Sequence, residues 1–100
     1  MFISIDRDGK LALREPDDFK RLHIEASDGG VTPDDIDRAL GSIATRDSDD
    51  FWIEVAAMKQ LGRTGDAAWE NSFDAMITSV RKFGWLSPDG RRVRAHLKAR

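Results

Sequence analysis

The first 14 residues alternate apolar and polar positions on both sides of an Asp-Gly pair. The apolar positions are Ile3, Ile5, Leu11 and Leu13. The pair between them, Asp8-Gly9, favours the positive φ angles that a tight turn requires. This pattern predicts a β-hairpin over residues 2–14.

The next segment fits two patterns. A helix beginning at Pro16 would place Ile24 on its polar face, whereas a strand would alternate Leu22, Ile24 and Ala26 with polar residues. We therefore favour a third strand within residues 19–26, and the helix remains the alternative.

Helical spacing of apolar residues begins after residue 30. Thr32 is a favourable N-cap and Pro33 suits the first helical position, so a helix is predicted over 33–44. A second helix is predicted over 49–61, ending before Gly62. Its beginning, FWIEV at residues 51–55, also suits a short strand before a shorter helix.

The third predicted helix covers residues 66–83 and has the strongest pattern. Asp66 is its N-cap and Gly84 ends it. Its apolar face, which we expect to be buried, consists of Trp69, Phe73, Met76, Ile77, Val80 and Phe83.

The C-terminal segment has the alternation of a strand after a turn. Ser87–Gly90 has turn residues, and apolar residues from Val93 alternate with Arg92, Arg94 and His96. A strand over 91–97 follows, preceded by a short one at Trp85-Leu86. The chain is thus predicted to be one α+β domain over 1–100, with a small antiparallel sheet packed against three helices.

Composition narrows the chemistry. The 100 residues are 40% hydrophobic and include no cysteine, so disulfides and thiolate metal sites are excluded. No stretch approaches the ~20 apolar residues of a membrane span, and the N-terminus does not resemble a secretory signal. A cytoplasmic protein is the expectation.

Charge is distributed unevenly along the chain. Residues 1–80 carry 9 basic and 17 acidic side chains, whereas residues 81–100 carry 7 basic and 1 acidic. Such a basic end is compatible with nucleic-acid binding. We favour the alternative that the basic end pairs with the acidic remainder of the domain.

Residues 4–15 resemble a calcium-binding loop. Asp6, Asp8, Gly9 and Glu15 fall at matching positions, but Ser4 replaces the first carboxylate and no helix can precede the loop. The hairpin explains the same residues, and no metal site is predicted. Of the 18 acidic residues 14 are Asp, mostly at turns and helix starts, where they are expected to cap backbone N–H groups.

No catalytic residue is assigned. His23 and His96 both fall on polar positions of predicted strands, where they could converge across a sheet as an acid–base pair. Neither lies in a recognisable nucleophile motif. Trp85 lies beyond the helix that precedes it, so we expect it to be partly exposed.

Three functions are compatible with these features. We favour a non-enzymatic accessory or interaction domain without a cofactor, binding a protein partner or a second copy of itself. A winged-helix-like nucleic-acid-binding protein is the alternative, although the third helix exposes acidic residues that phosphate would repel. The other alternative is a small-molecule or enzymatic site around His23, His96 and Trp85. The candidate partner or phosphate contacts are Trp85, Arg91, Arg92, Arg94 and His96.

Overall fold

The computed structural model describes residues 1–27 and 29–98, and this part of the chain folds into a six-stranded mixed sheet with three α-helices. The elements are β1 (Phe2–Ile5), β2 (Leu11–Arg14), β3 (His23–Ala26), α1 (Pro33–Leu40), β4 (Ala44–Asp47), β5 (Asp50–Glu54), α2 (Val55–Leu61), α3 (Ala67–Ser79), a 3₁₀ turn (Val80–Phe83) and β6 (Arg92–Lys98). The α+β class is therefore confirmed.

The strands lie in the order β2-β1-β3-β6-β5-β4. β1 pairs antiparallel with β2, as do β5 with β6 and β4 with β5, but β3 runs parallel to both β1 and β6. The prediction of a small antiparallel sheet is wrong. Residues 15–22 connect the end of β2 to β3 on the other side of β1. β3 therefore begins at the same end of the sheet as β1 and runs in the same direction.

One face of the sheet forms the core with the helices. Ile3 lies opposite Ile24 across β1 and β3, and both are fully buried. Because side chains alternate along each strand, the intervening positions form a second face, here called the polar face. It includes Phe2, Ser4, His23, Glu25, Asp50, Trp52, Glu54, Arg92, Arg94 and His96.

The three helices supply the rest of the core. Their buried residues are Ile36, Leu40, Met58, Trp69, Phe73, Met76 and Ile77. They form one cluster with the buried strand residues, which include Phe51, Ile53, Val93 and Ala95. Burial of such side chains contributes roughly 1.5–3 kcal/mol each, so this single cluster is what positions the strands that carry the polar face.

The predicted N-terminal elements are largely confirmed. The hairpin is present, with Gly9 at φ 79° and the Asp6 carboxylate accepting hydrogen bonds from two backbone N–H groups of the turn. Asp8 does not share the positive φ angle. The third strand is confirmed but shorter than predicted, since it begins at His23. Residues 4–15 are thus two strands and a turn, which is not the geometry of a calcium loop.

The first and third helices begin at their predicted caps but end earlier than predicted, and the second begins later. Thr32 and Asp35 form a complete capping box for α1, which ends at Leu40 because the chain then enters β4. The predicted helix over 49–61 is wrong in its first part: residues 50–54 are β5, as the alternative interpretation had it, and only 55–61 are helical. The hairpin of β4 and β5, with Ser48 at φ 60°, was not predicted.

The end of the third helix departs from its predicted buried face. Trp69, Phe73, Met76 and Ile77 are buried as expected, but Phe83 is 57% exposed. Residues 80–83 form a 3₁₀ turn. With three residues per turn instead of 3.6, that turn carries Phe83 off the apolar face of α3. Gly84, at φ 76°, ends the turn as predicted.

The C-terminal strand is an interior strand of the sheet, between β3 and β5. The predicted short strand at Trp85-Leu86 is reduced to a single bridge between Leu86 and Val93. Within residues 1–27 and 29–98, the longest helices fall short of the length and apolarity that crossing a membrane would need.

Candidate functional site

On the polar face of the sheet, basic residues of β6 lie beside acidic residues of β5. Asp50 is opposite His96, and its carboxylate accepts a hydrogen bond from the Nε of Arg94 at 2.7 Å. Its other oxygen lies 2.9 Å from the Nδ1 of His96. Part of the basic C-terminal segment therefore pairs with an acidic residue of the preceding chain, as the charge distribution led us to expect.

These contacts favour the ionised form of Asp50 and orient His96. The hydrogen bond from His96, supported by that from Arg94, lowers the pKa of the Asp50 carboxyl despite the opposing effect of partial burial. Because an ionised carboxylate can only accept, the Nδ1 of His96 is the donor, and in the neutral ring Nε2 is the acceptor. His96 thus presents Nε2 from a side chain that is 67% exposed.

A second layer of contacts holds Arg94. The Nε1 of Trp52 donates to the Asp47 carboxylate at 3.0 Å. The Arg94 guanidinium lies 5.9 Å from the centre of the Trp52 ring and 4.0 Å from the same Asp47 carboxylate. Arg94 is therefore fixed by an aromatic ring and two carboxylates, which limits the entropy it can lose when a ligand binds beside it.

The two histidines are neighbours across parallel strands. His23 of β3 is in register with His96 of β6, so both lie on the polar face. His23 stacks on Phe2 at 4.8 Å, and its Nε2 lies 3.1 Å from the Glu25 carboxylate. Each histidine therefore has its own carboxylate partner. In the described part of the chain, His, Cys, Asp and Glu residues do not form a group of three or more that could hold a metal ion.

A cavity of about 240 Å³ adjoins β6, the residues that precede β3 and the end of α3. On the edge of β6 away from β5, the backbone N–H of Arg94 donates to the carbonyl oxygen of Trp85, and β3 pairs with β6 from His96 onward. Trp85 and His96 both line the cavity. It is lined by Phe19, Lys20, Arg21, Leu22, Asp50, Met76, Ile77, Val80, Trp85, Val93, Arg94 and His96.

The walls of this cavity divide into apolar and charged parts. The apolar wall includes Met76 and Ile77 from the end of α3 and Val80 from the following turn. The charged wall includes Asp50 and Arg94 from the polar face. Trp85 is 47% exposed and lies 5.0 Å from Phe83, ring centre to ring centre. An apolar enclosure with a few polar groups at its edge is the usual form of a small-molecule site.

Three of the five predicted contact residues meet at this cavity: Trp85, Arg94 and His96. Arg91 lies in the exposed turn before β6, and the guanidinium of Arg92 donates to the Thr45 hydroxyl at 2.7 Å, toward β4. Neither lines the cavity.

Asp50 and the apolar wall of the cavity are not among the predicted site residues. The predicted helix over 49–61 places Asp50 in its first turn, yet the alternation of DFWIE at residues 50–54 indicates that this carboxylate lies on one face of a strand. The apolar wall had no such signal, because Met76, Ile77 and Val80 belong to the same stripe as the core residues of α3.

Comparisons with protein-family models, with curated proteins and with solved structures give no match. The function must therefore be inferred from the chemistry of the site.

Proposed function

We propose that this protein is a non-enzymatic binding domain whose ligand occupies the cavity between the residues preceding β3, the end of α3 and Trp85. The observation that carries this proposal is the cavity itself, with its apolar walls and its charged edge at Asp50, Arg94 and His96. An apolar cavity of roughly 150 Å³ accommodates benzene. By that measure about 240 Å³ suits a body of roughly ten non-hydrogen atoms.

The lining residues support binding in preference to covalent catalysis. The Asp50–His96 pair resembles a base held by a carboxylate, but the described residues that line the cavity include no Ser, Thr or Cys that such a base would activate. Asp50 itself is engaged by two donors. Orientation of a bound molecule by hydrogen bonds is the role that these groups fit.

Nucleic-acid binding has weaker support. The outward residues of β6 face acidic neighbours, since Arg92 is opposite Glu54 and His96 is opposite Asp50. The exposed side of α3 carries Asp74, which is paired with Lys59 at 3.0 Å. Affinity for a phosphate backbone comes from Lys and Arg side chains that neutralise phosphates, and the carboxylates beside these basic residues weaken that attraction.

Binding to a protein partner or to a second copy of the chain stays a prediction. Sedimentation velocity over a range of protein concentrations tests the second form, and a mass that remains that of one 11.2 kDa chain contradicts it.

The cavity proposal is tested with a neutral probe of matching size. Naphthalene-2-carboxamide has roughly thirteen non-hydrogen atoms, and at ~0.3 kcal/mol each it should bind with a Kd of about 1 mM. Titration followed by ¹H–¹⁵N NMR should shift the indole resonance of Trp85 and the amides of residues 19–22 and 93–96. The indole resonances of Trp52 and Trp69 should move less.

A pair of variants separates the cavity from the rest of α3 and its turn. Val80→Phe fills part of the cavity and should weaken binding of the probe at least fivefold. Thr78→Phe places the same ring on an exposed position nearby, and Thr78 has nearly the shape of valine. Equal binding by both variants, or probe-induced shifts spread evenly over the protein, would contradict the proposal.

A further inference from the structure

The charged residues at the edge of the cavity carry more positive than negative charge. Three cationic residues line it, Lys20, Arg21 and Arg94, against the single carboxylate of Asp50. With His96 neutral this leaves two positive charges. An apolar enclosure with a basic edge is complementary to a molecule that is apolar at one end and negatively charged at the other.

We propose that the ligand carries an anionic head group, such as a carboxylate, on its apolar body. This inference rests on the proposed function and adds the chemical class of the ligand. The head group would lie at the edge formed by Lys20 and Arg21, and the apolar body against Met76, Ile77 and Val80.

Asp50 does not oppose a bound anion, because its charge is already compensated. The Arg94 Nε donates to one oxygen at 2.7 Å and the His96 Nδ1 donates to the other at 2.9 Å. Arg94 therefore contributes little net charge to a ligand, and the excess positive charge belongs to Lys20 and Arg21.

The carboxylate nearest to Arg21 in sequence, Asp18, is also engaged elsewhere. It accepts a hydrogen bond from the backbone N–H of Lys20 at 3.1 Å, and its other oxygen lies 3.7 Å from the terminal ammonium of Met1. The hydrogen bond from Lys20, with smaller contributions from the terminal ammonium and Arg21, lowers the pKa of Asp18. Since Asp18 shares its charge among several groups, Arg21 retains positive charge for a ligand.

His96 lines the same edge of the cavity, and its Nδ1 is held by the Asp50 carboxylate.

The test compares two probes of the same shape, naphthalene-2-carboxylate and naphthalene-2-carboxamide, by NMR titration at ~50 mM salt. The carboxylate should bind about fivefold more tightly, in line with a favourable interaction between exposed charges. The preference should shrink at about 0.5 M salt, because exposed charges are screened over a few ångström.

Two matched variants locate the charge. Arg21→Gln should weaken binding of the carboxylate about threefold and leave the carboxamide unchanged. Arg91→Gln removes an arginine that is also exposed but does not line the cavity, so it should change neither affinity. Thermal unfolding of both variants checks that the fold is intact.

The outcomes separate this inference from the function on which it rests. Equal affinity for the two probes overturns the anionic head group and leaves the binding cavity in place. Binding of neither probe overturns both. A preference for the carboxylate that Arg91→Gln reduces as much as Arg21→Gln assigns the effect to the overall charge of the protein, and also overturns the inference.

Discussion

Gly62, which follows α2, lies in close contact with Trp69 of α3 and Leu13 of β2. A β-carbon placed there would lie 2.6 Å from the Cζ2 of Trp69 and 2.9 Å from the Cδ2 of Leu13, and it would be closer still to the Cη2 of Trp69. Carbon atoms in proteins pack at about 3.5–4.0 Å. Gly62→Ala therefore requires the indole ring to move.

The indole ring has little freedom to do so. Its Nε1 donates to the carbonyl oxygen of Pro16 at 2.8 Å, and the ring stacks on Phe73 at 5.1 Å. Overpacking of this kind costs about 1–3 kcal/mol, and loss of the hydrogen bond to Pro16 would add ~1 kcal/mol. We expect a decrease of about 2–4 kcal/mol in the free energy of unfolding. For a domain of this size that corresponds to a decrease of roughly 8–20 °C in Tm.

Urea and thermal unfolding followed by circular dichroism measure this change. The matched control is Gly29→Ala, because a β-carbon at Gly29 would have no heavy atom within 4 Å. That variant should keep or slightly raise the stability, since alanine restricts the unfolded chain. If Gly62→Ala stays within about 0.5 kcal/mol of the wild type, or Gly29→Ala loses as much, the reasoning about this contact is wrong.

Two further predictions concern caps and charges. Thr32→Ala removes the side chain that accepts from the Asp35 N–H at 3.1 Å and should cost ~1 kcal/mol in urea unfolding, whereas exposed Thr64→Ala should be nearly neutral. Asp50→Asn removes a carboxylate whose pKa is lowered in the folded state, chiefly by His96. The stability it contributes is complete above its ordinary pKa of 3.8 and is lost as the pH falls through the lower folded-state value. The difference in urea midpoint between wild type and Asp50→Asn should therefore shrink in acid, and a constant difference would refute this assignment.

The parts of the fold that could be predicted depend on local chemistry. The turn at Gly9, the capping box at Thr32 and the stop at Gly84 each follow from what one residue's backbone or side chain can do. The direction of β3 depends instead on how residues 15–22 return past the first hairpin. Alternation of apolar residues is the same in parallel and antiparallel strands, so it gave no information on this point.

The hairpin of β4 and β5 shows a second limit. β4, at residues 44–47, is an edge strand whose last three positions are exposed, so burial imposes no alternation on its sequence. Without β4 as a predicted partner, residues 51–55 (FWIEV) fit either a strand or the start of a helix. The helix predicted over 49–61 then includes Asp50 in its first turn, although Asp50 lies on the polar face of the sheet.

The cavity could not be predicted because it depends on the insertion of β6 between β3 and β5. That insertion places His96 beside both His23 and Asp50, and it leaves the junction with Trp85 open. The exposure of Trp85 and the polar orientation of Arg94 could be predicted from alternation and from the position of the helix stop. The partner of Arg94 could not, since Asp50 is 44 residues away in sequence. Within β6, Arg94 is thus balanced by Asp50, and the excess positive charge that we assign to the edge of the cavity comes from Lys20 and Arg21, within the acidic part of the chain.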